Sequence, residues 1–236
     1  HDHHYTPHYH RRFKDMRARP TGSQTPPLMP REAGREQKVV NPIQQQAIEA
    51  LQATLGPGGE LAMDRTEGTL RYVRGELARL VESSAAYEQG WATDDHTVMA
   101  TAVVDSLARV MNVPNPSAQF VPQAPDQDEL GMVHVKFDQQ CEGIPVYGSQ
   151  MVVHFDSRGE PVQVNGVHAP DCRSAASVNA VVTVEEAVAK ARQAAGLENR
   201  RIAPPNTERV IYWYPQQTRP VLTYQVDVTA SPVESW

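Results

Sequence analysis

Between Met132 and Val164 the chain alternates apolar and polar residues with a period of two. A one-residue slip in such a pattern would turn every apolar side chain to solvent, so it constrains both the element type and the pairing register. Val133, Val135 and Phe137 share one face while His134 and Lys136 take the other; Met151, Val153 and Phe155 repeat this against Val152 and His154, and Val162 and Val164 begin a third alternation. Joined across Asp138–Pro145 and Asp156–Glu160, the three runs predict an antiparallel meander with one buried face. That face needs a cover. A helix from about Asp94, with Thr93, Asp94 and Asp95 as N-cap candidates, carries Val98, Ala102, Val103, Leu107, Val110 and Met111 on one stripe and supplies it. Pro114 and Pro116 are read as its end. The fold class is therefore α+β.

Upstream, Ile43, Ala47, Ile48, Leu51 and Leu55 recur at helical spacing until Gly56-Pro57-Gly58-Gly59 stops the run. Glu60–Ala62 and Thr69–Val73 then read as a hairpin across Asp64–Gly68. Residues 116–126, with Pro122 and Pro125, read as a linker. After Pro170 a capping box, Thr183-Val184-Glu185-Glu186, opens another helix whose apolar side is Ala187, Val188, Ala191 and Ala195, with Gly196 as its stop. Two strands follow, Arg209–Tyr214 and Val221–Val228, across Pro215–Thr218. A two-stranded sheet is marginal alone, so a third strand is expected beyond Trp236 or from a neighbour, and this smaller unit is read as truncated at its C-terminus.

Residues 1–40 carry no such period. Five histidines fall in the first ten positions, and prolines stand at 7, 20, 26, 27 and 30. Low hydrophobicity with dense proline predicts a disordered tail, and the histidines lack the fixed geometry of a four-ligand metal site. The 236 residues carry 22 Lys+Arg against 28 Asp+Glu. Residues 1–38 hold 8 basic and 4 acidic side chains, which leaves a body near −10 that repels a phosphate backbone and excludes nucleic acid as the main partner. No apolar run approaches the roughly 18 residues of a membrane span, and no charged-then-apolar segment opens the chain. It begins with His1 rather than Met, so either a leader has been removed or it is a piece of a longer protein, and it is read as incomplete.

Catalytic signatures are missing. No histidine is followed by glutamate, which excludes H-E-x-x-H, and neither G-x-S-x-G nor G-x-x-x-x-G-K-[ST] occurs. Asp105 and Glu185 lie on helical patterns and read as solvated or capping carboxylates. His134 and His154 can meet on the polar face of the meander as half of a metal site, but no third ligand sits at a fixed offset, so they read as exposed or hydrogen-bonded strand histidines. Cys141 follows the first strand and Cys172 the third, ends that lie about 10 Å apart with one strand between them. Loops of this length can bring the pair within the roughly 7 Å Cα limit of a disulfide; two separate thiols are the alternative.

The stretch His134-Val135-Lys136-Phe137-Asp138-Gln139-Gln140-Cys141-Glu142-Gly143-Ile144-Pro145-Val146-Tyr147-Gly148, followed by the strand Ser149–His154 and by Val164-Asn165-Gly166, resembles the fungalysin/thermolysin propeptide (FTP) domain of secreted zinc metallopeptidases. The family pattern is H-V-x-[FY]-x-Q, then G-[VIL]-P-V-x-G, then V-N-G, and its matching positions here are His134, Phe137, Gln139, Gly143, Pro145, Val146, Gly148, Asn165 and Gly166. Cys141 stands where the family usually carries an aromatic residue. Gly68–Gly75 is similar to the start of that propeptide, and Val182–Ala187 with its two strands is similar to the PepSY domain that follows it. The resemblance implies a tail over 1–40, an FTP-like domain over 41–170 and an incomplete PepSY-like domain over 178–236. It further implies a secreted or extracytoplasmic precursor in which this chain inhibits a thermolysin-like catalytic domain and helps it fold. The residues are structural: none is assigned to catalysis or to a metal, and zinc, with calcium, would belong to the catalytic domain, joined in cis or met in trans. A stand-alone inhibitor or binding module is the alternative.

Overall fold

The computed structural model describes residues 40–64, 66–170, 172–177, 179, 181–213 and 220–230. The His-rich segment of residues 1–39, the Pro215–Thr218 connection and the end at Trp236 lie outside them. Asn41 caps the first helix, α1 (Pro42–Thr54), by accepting from the Gln44 backbone N–H, with Pro42 in the first turn where its missing N–H costs nothing. Ile48 and Leu51 are buried on its inner face, and the buried Gln44 amide donates to the carbonyls of Gly68 and Val110 at 2.8 Å each. The hairpin follows as β1 (Glu60–Met63) and β2 (Leu70–Arg74).

A 3₁₀ turn (Leu77–Leu80) leads to α2 (Ala85–Thr93), an element that the sequence reading did not include. Only Tyr87 and Gly90 of α2 are buried, too few to mark a helical stripe. Asp94 ends α2 in the left-handed conformation, and Asp95 alone caps α3 (His96–Ser106). The helix expected to run through Met111 breaks at Leu107 and resumes as α4 (Ala108–Met111), closed by a left-handed Asn112. Pro116 does not end it. It opens a short helix, α5 (Pro116–Gln119), which runs into β3 (Phe120–Pro122).

The expected linker over 116–126 is thus part of the sheet. Phe120, Val121 and Pro122 pair with Gln139, Asp138 and Phe137, and β4 (Asp126–Gln127) pairs with His134 and Val133 farther along the same edge. Proline is tolerated there because an edge strand leaves one side of its backbone unpaired. The principal sheet runs β1-β2-β7-β6-β5-β3, antiparallel throughout, with β5 (Val133–Cys141), β6 (Ile144–Phe155) and β7 (Pro161–Val167) as the meander. Val133, Val135 and Phe137 face Phe155, Val153 and Met151, and Val153 faces Val164 across the next pair. Against this face pack Met99, Ala100, Val103, Val104 and Leu107 of the α3 segment, all buried. Burying one Leu107-sized side chain contributes about 1.5–3 kcal/mol.

The first connection of the meander is shorter than Asp138–Pro145. Both strands continue through that stretch to a two-residue turn, Glu142-Gly143, with φ of 50° and 76°. Positive φ at both positions matches the right-handed twist of the strands. In β6 the alternation changes phase at Gly148 (φ 81°), so Ile144 and Val146 before it and Ser149 and Met151 after it all reach the buried face.

Beyond β7 come α6 (Arg173–Ala176), α7 (Val184–Ala194), β8 (Asn206–Tyr212) and β9 (Val221–Asp227). The capping box of α7 has both of its bonds: Thr183 Oγ1 accepts from the Glu186 N–H, and the Glu186 carboxylate accepts from the Thr183 N–H at 2.9 Å. No residue of α7 is buried; its Ala187, Val188 and Ala191 are half-covered. β8 and β9 form an antiparallel pair, and the third strand beside them is the start of β6, where Val146 and Tyr147 pair in parallel with Ile211 and Tyr212.

Candidate functional site

Of the motif positions, Gln139, Gly143, Pro145, Val146 and Gly148 gather at the Gly143 end of the β5–β6 hairpin, around a buried amide, while His134, Phe137, Asn165 and Gly166 lie farther along the sheet. Gln139 has 1% of its surface exposed. Its Oε1 accepts from the Ala169 backbone N–H at 2.8 Å, and its Nε2 donates to the Ala169 carbonyl at 3.1 Å. The Ser149 hydroxyl lies 2.6 Å from Gln139 Oε1 and 2.9 Å from the Val167 carbonyl, and its one proton serves one acceptor at a time. A single side chain therefore ties β5 to β6 and to the segment leaving β7. Gln139→Leu leaves both backbone groups of Ala169 buried without partners, and we expect a loss of about 2 kcal/mol in urea denaturation.

Beside this amide the structure joins Cys141 to Cys172 in a disulfide, with Cα atoms 6.0 Å apart. Each cysteine is 1% exposed and packs in a second core with Ile144, Val146, Ala169, Ala175, Ile211 and Trp213. This core couples the hairpin turn to the end of β8. A Cβ built on Gly148 would stand 3.4 Å from the Trp213 carbonyl, so a larger residue there would press on that approach.

Phe137 lies in the main core and Pro145 opposite Gln140 in the register. His134 and His154 lie directly opposite each other on the polar face, with Nδ1 atoms 2.7 Å apart. His134 Nε2 stands 3.1 Å from an Asp128 carboxylate oxygen and His154 Nε2 stands 2.6 Å from Asn165 Oδ1. Asn165 Oδ1 also accepts from the Gln163 amide at 3.1 Å. The hydrogen bond from His134 holds the Asp128 carboxyl below the usual range, while burial pushes His154 down. Among the described residues no three His, Cys, Asp or Glu side chains are placed to hold a metal ion.

One buried residue escaped the sequence reading, and one motif glycine holds a close strand approach. His168 is wholly buried, and burial pushes it down to about 4, so it is neutral with Nε2 donating to the Met111 carbonyl at 3.1 Å. It follows a strand and belongs to no periodic pattern, so no signal marks it. Gly166 (φ 154°) is the tightest glycine of the meander: a Cβ there would collide with the Gln150 carbonyl oxygen and lie 2.7 Å from Met151 Cα.

The arrangement supplies a buried, hydrogen-bonded amide, a covalent bridge and a close approach of strands, all of which hold a scaffold. Residues 118–166 match the family model described as Fungalysin/Thermolysin Propeptide Motif. The matched span covers β3 to β7 and contains both the Gln139 amide and the histidine pair. The chain is also 30% identical over 105 residues to proteins named thermolysin from Alicyclobacillus acidocaldarius subsp. acidocaldarius, Bacillus caldolyticus and Bacillus sp. (strain EA1). Each match takes in 43% of this chain and 19% of the relative, so the chain spans only about a fifth of the curated relatives it matches. Among the described residues no helix is long and apolar enough to cross a membrane.

Proposed function

We propose that this chain is the propeptide region of a secreted, thermolysin-like zinc metalloendopeptidase precursor, where it inhibits the catalytic domain and assists its folding. The observation that carries the reading is the propeptide motif over 118–166, supported by the thermolysin matches. In this reading residues 41–170 form the FTP-like unit and residues 178–236 a PepSY-like unit, whose hairpin takes its third strand from β6, while zinc and calcium reside in the catalytic domain. Inhibition then needs no chemistry from this chain. It needs a rigid surface that covers the cleft, and specific protein interfaces bury about 1,600 Å² in total. The shape of that surface would depend on Gln139, Gly148, Gly166 and the Cys141–Cys172 bridge, with Thr183 and Glu186 fixing the start of α7. The His134–His154 pair would brace its polar face.

The test is a titration of this chain into the thermolysin-like catalytic domain from the same genome, read with a chromogenic peptide. Inhibition that saturates near one equivalent and fades as the peptidase cuts the chain is expected. Full activity at a tenfold molar excess of chain would overturn the inhibitory role.

A further inference from the structure

The four groups Asp128, His134, His154 and Asn165 form one line across β5, β6 and β7, and their ring protons can be counted. Two nitrogens 2.7 Å apart need one proton between them. His134 Nε2 carries a proton toward the Asp128 carboxylate. His154 Nε2 either donates to Asn165 Oδ1, which makes three protons and one positive charge, or accepts from an Asn165 amide turned the other way together with that of Gln163, which makes two and none. A fourth proton would set two N–H groups of two cations against each other at the Nδ1 contact.

We propose that the Nδ1-to-Nδ1 bond between His134 and His154 is an acid-sensitive latch, held while the two rings share two or three protons and broken by the fourth, which drives His134 outward and moves the 128–132 turn with it. His134 is the ring that moves, because its side chain is partly open to solvent, whereas burial disfavours charge on His154. The turn is where the motion is felt: Asp128 Oδ1 accepts from the backbone N–H groups of Leu130 and Met132 at 2.9 Å each, while Oδ2 faces His134.

The charged groups that share this face by register are Asp126, opposite His134; Lys136 and Asp138, farther along β5; and Arg74, opposite Gln163 on β2, with Glu60 opposite Arg74. Tyr72, opposite Asn165, is its remaining titratable neighbour by register among the described residues. No carboxylate stands directly opposite His154 in the register. In the unfolded chain both rings bind protons near pH 6.5. Burial lowers the proton affinity of native His154, so its contribution to stability falls as pH falls below that value. His168 acts in the same direction from the core, so stability against pH alone does not isolate the latch.

The test is imidazole ¹⁵N NMR of the whole chain from pH 8 to pH 4.5, which reports each ring separately. The latch predicts two steps for the pair, separated by at least one pH unit, a tenfold difference in proton affinity. The second step should shift the amides of Leu130 and Met132. In His134→Gln the His154 titration should move upward, because the charged neighbour is gone. Two independent titrations at one pH with silent amides in the wild type would overturn the proposal, as would a His154 titration unchanged by His134→Gln. The proposal concerns this chain's own sheet and stands or falls apart from the propeptide reading.

Discussion

Gly166→Ala is expected to lower the unfolding free energy by roughly 3 kcal/mol, with a lower urea midpoint and an unchanged slope. Two causes act together. The backbone at Gly166 has φ 154°, a region that side chains rarely enter, and the new Cβ would meet the Gln150 carbonyl oxygen and Met151 Cα. Neither neighbour is a flexible side-chain end, so β6 and β7 must separate where Met151 pairs with Gly166. Gly58→Ala is the control, since Gly58 also has positive φ (80°) but open space around its Cβ direction. It should cost about 1–2 kcal/mol. Equal losses in the two variants would show that the close strand approach contributes nothing.

Replacing both cysteines by alanine is expected to cost roughly 3.5 kcal/mol, the chain-entropy value for a separation of 31 residues. The effect should also be local. Cys141 and Cys172 pack against Ile211 and Trp213, so amide exchange in β8 should accelerate more than in β2 and β7. A thiol assay on the unreduced, denatured protein should find none free; two reactive thiols would exclude the bridge, and an unchanged urea midpoint in the double variant would remove its share of stability.

The meander was legible because its core residues alternate without a break over Val133–Phe137 and Met151–Phe155, and the same register appears in the pairing. The Thr183–Glu186 capping box was legible because that motif is local, and both of its bonds are present. Between these the pattern misled at identifiable residues. Gln139 and Ser149 are buried polar side chains, so the sequence reads as a loop where the strands continue to a two-residue turn. Pro122 disguised β3, which is an edge strand where proline is permitted. Leu107 sits at a break that no proline or glycine announces, so one helix was expected where α3 and α4 stand.

For the site, the strand periodicity placed His134 and His154 on one face where they could meet, but the bond between their rings is set by the assembled sheet. The same holds for Gln139 and Ala169, 30 positions apart. Hydrogen bonds between distant segments are set by the assembled sheet, and Gln139 looks in sequence like any polar strand residue.

The most direct measurement is to sequence the reading frame beyond the codon for Trp236. A downstream helix bearing H-E-x-x-H with a further glutamate beyond it, the ligand set of a zinc endopeptidase, is the expected result. A stop codon immediately after Trp236 would contradict a precursor in cis.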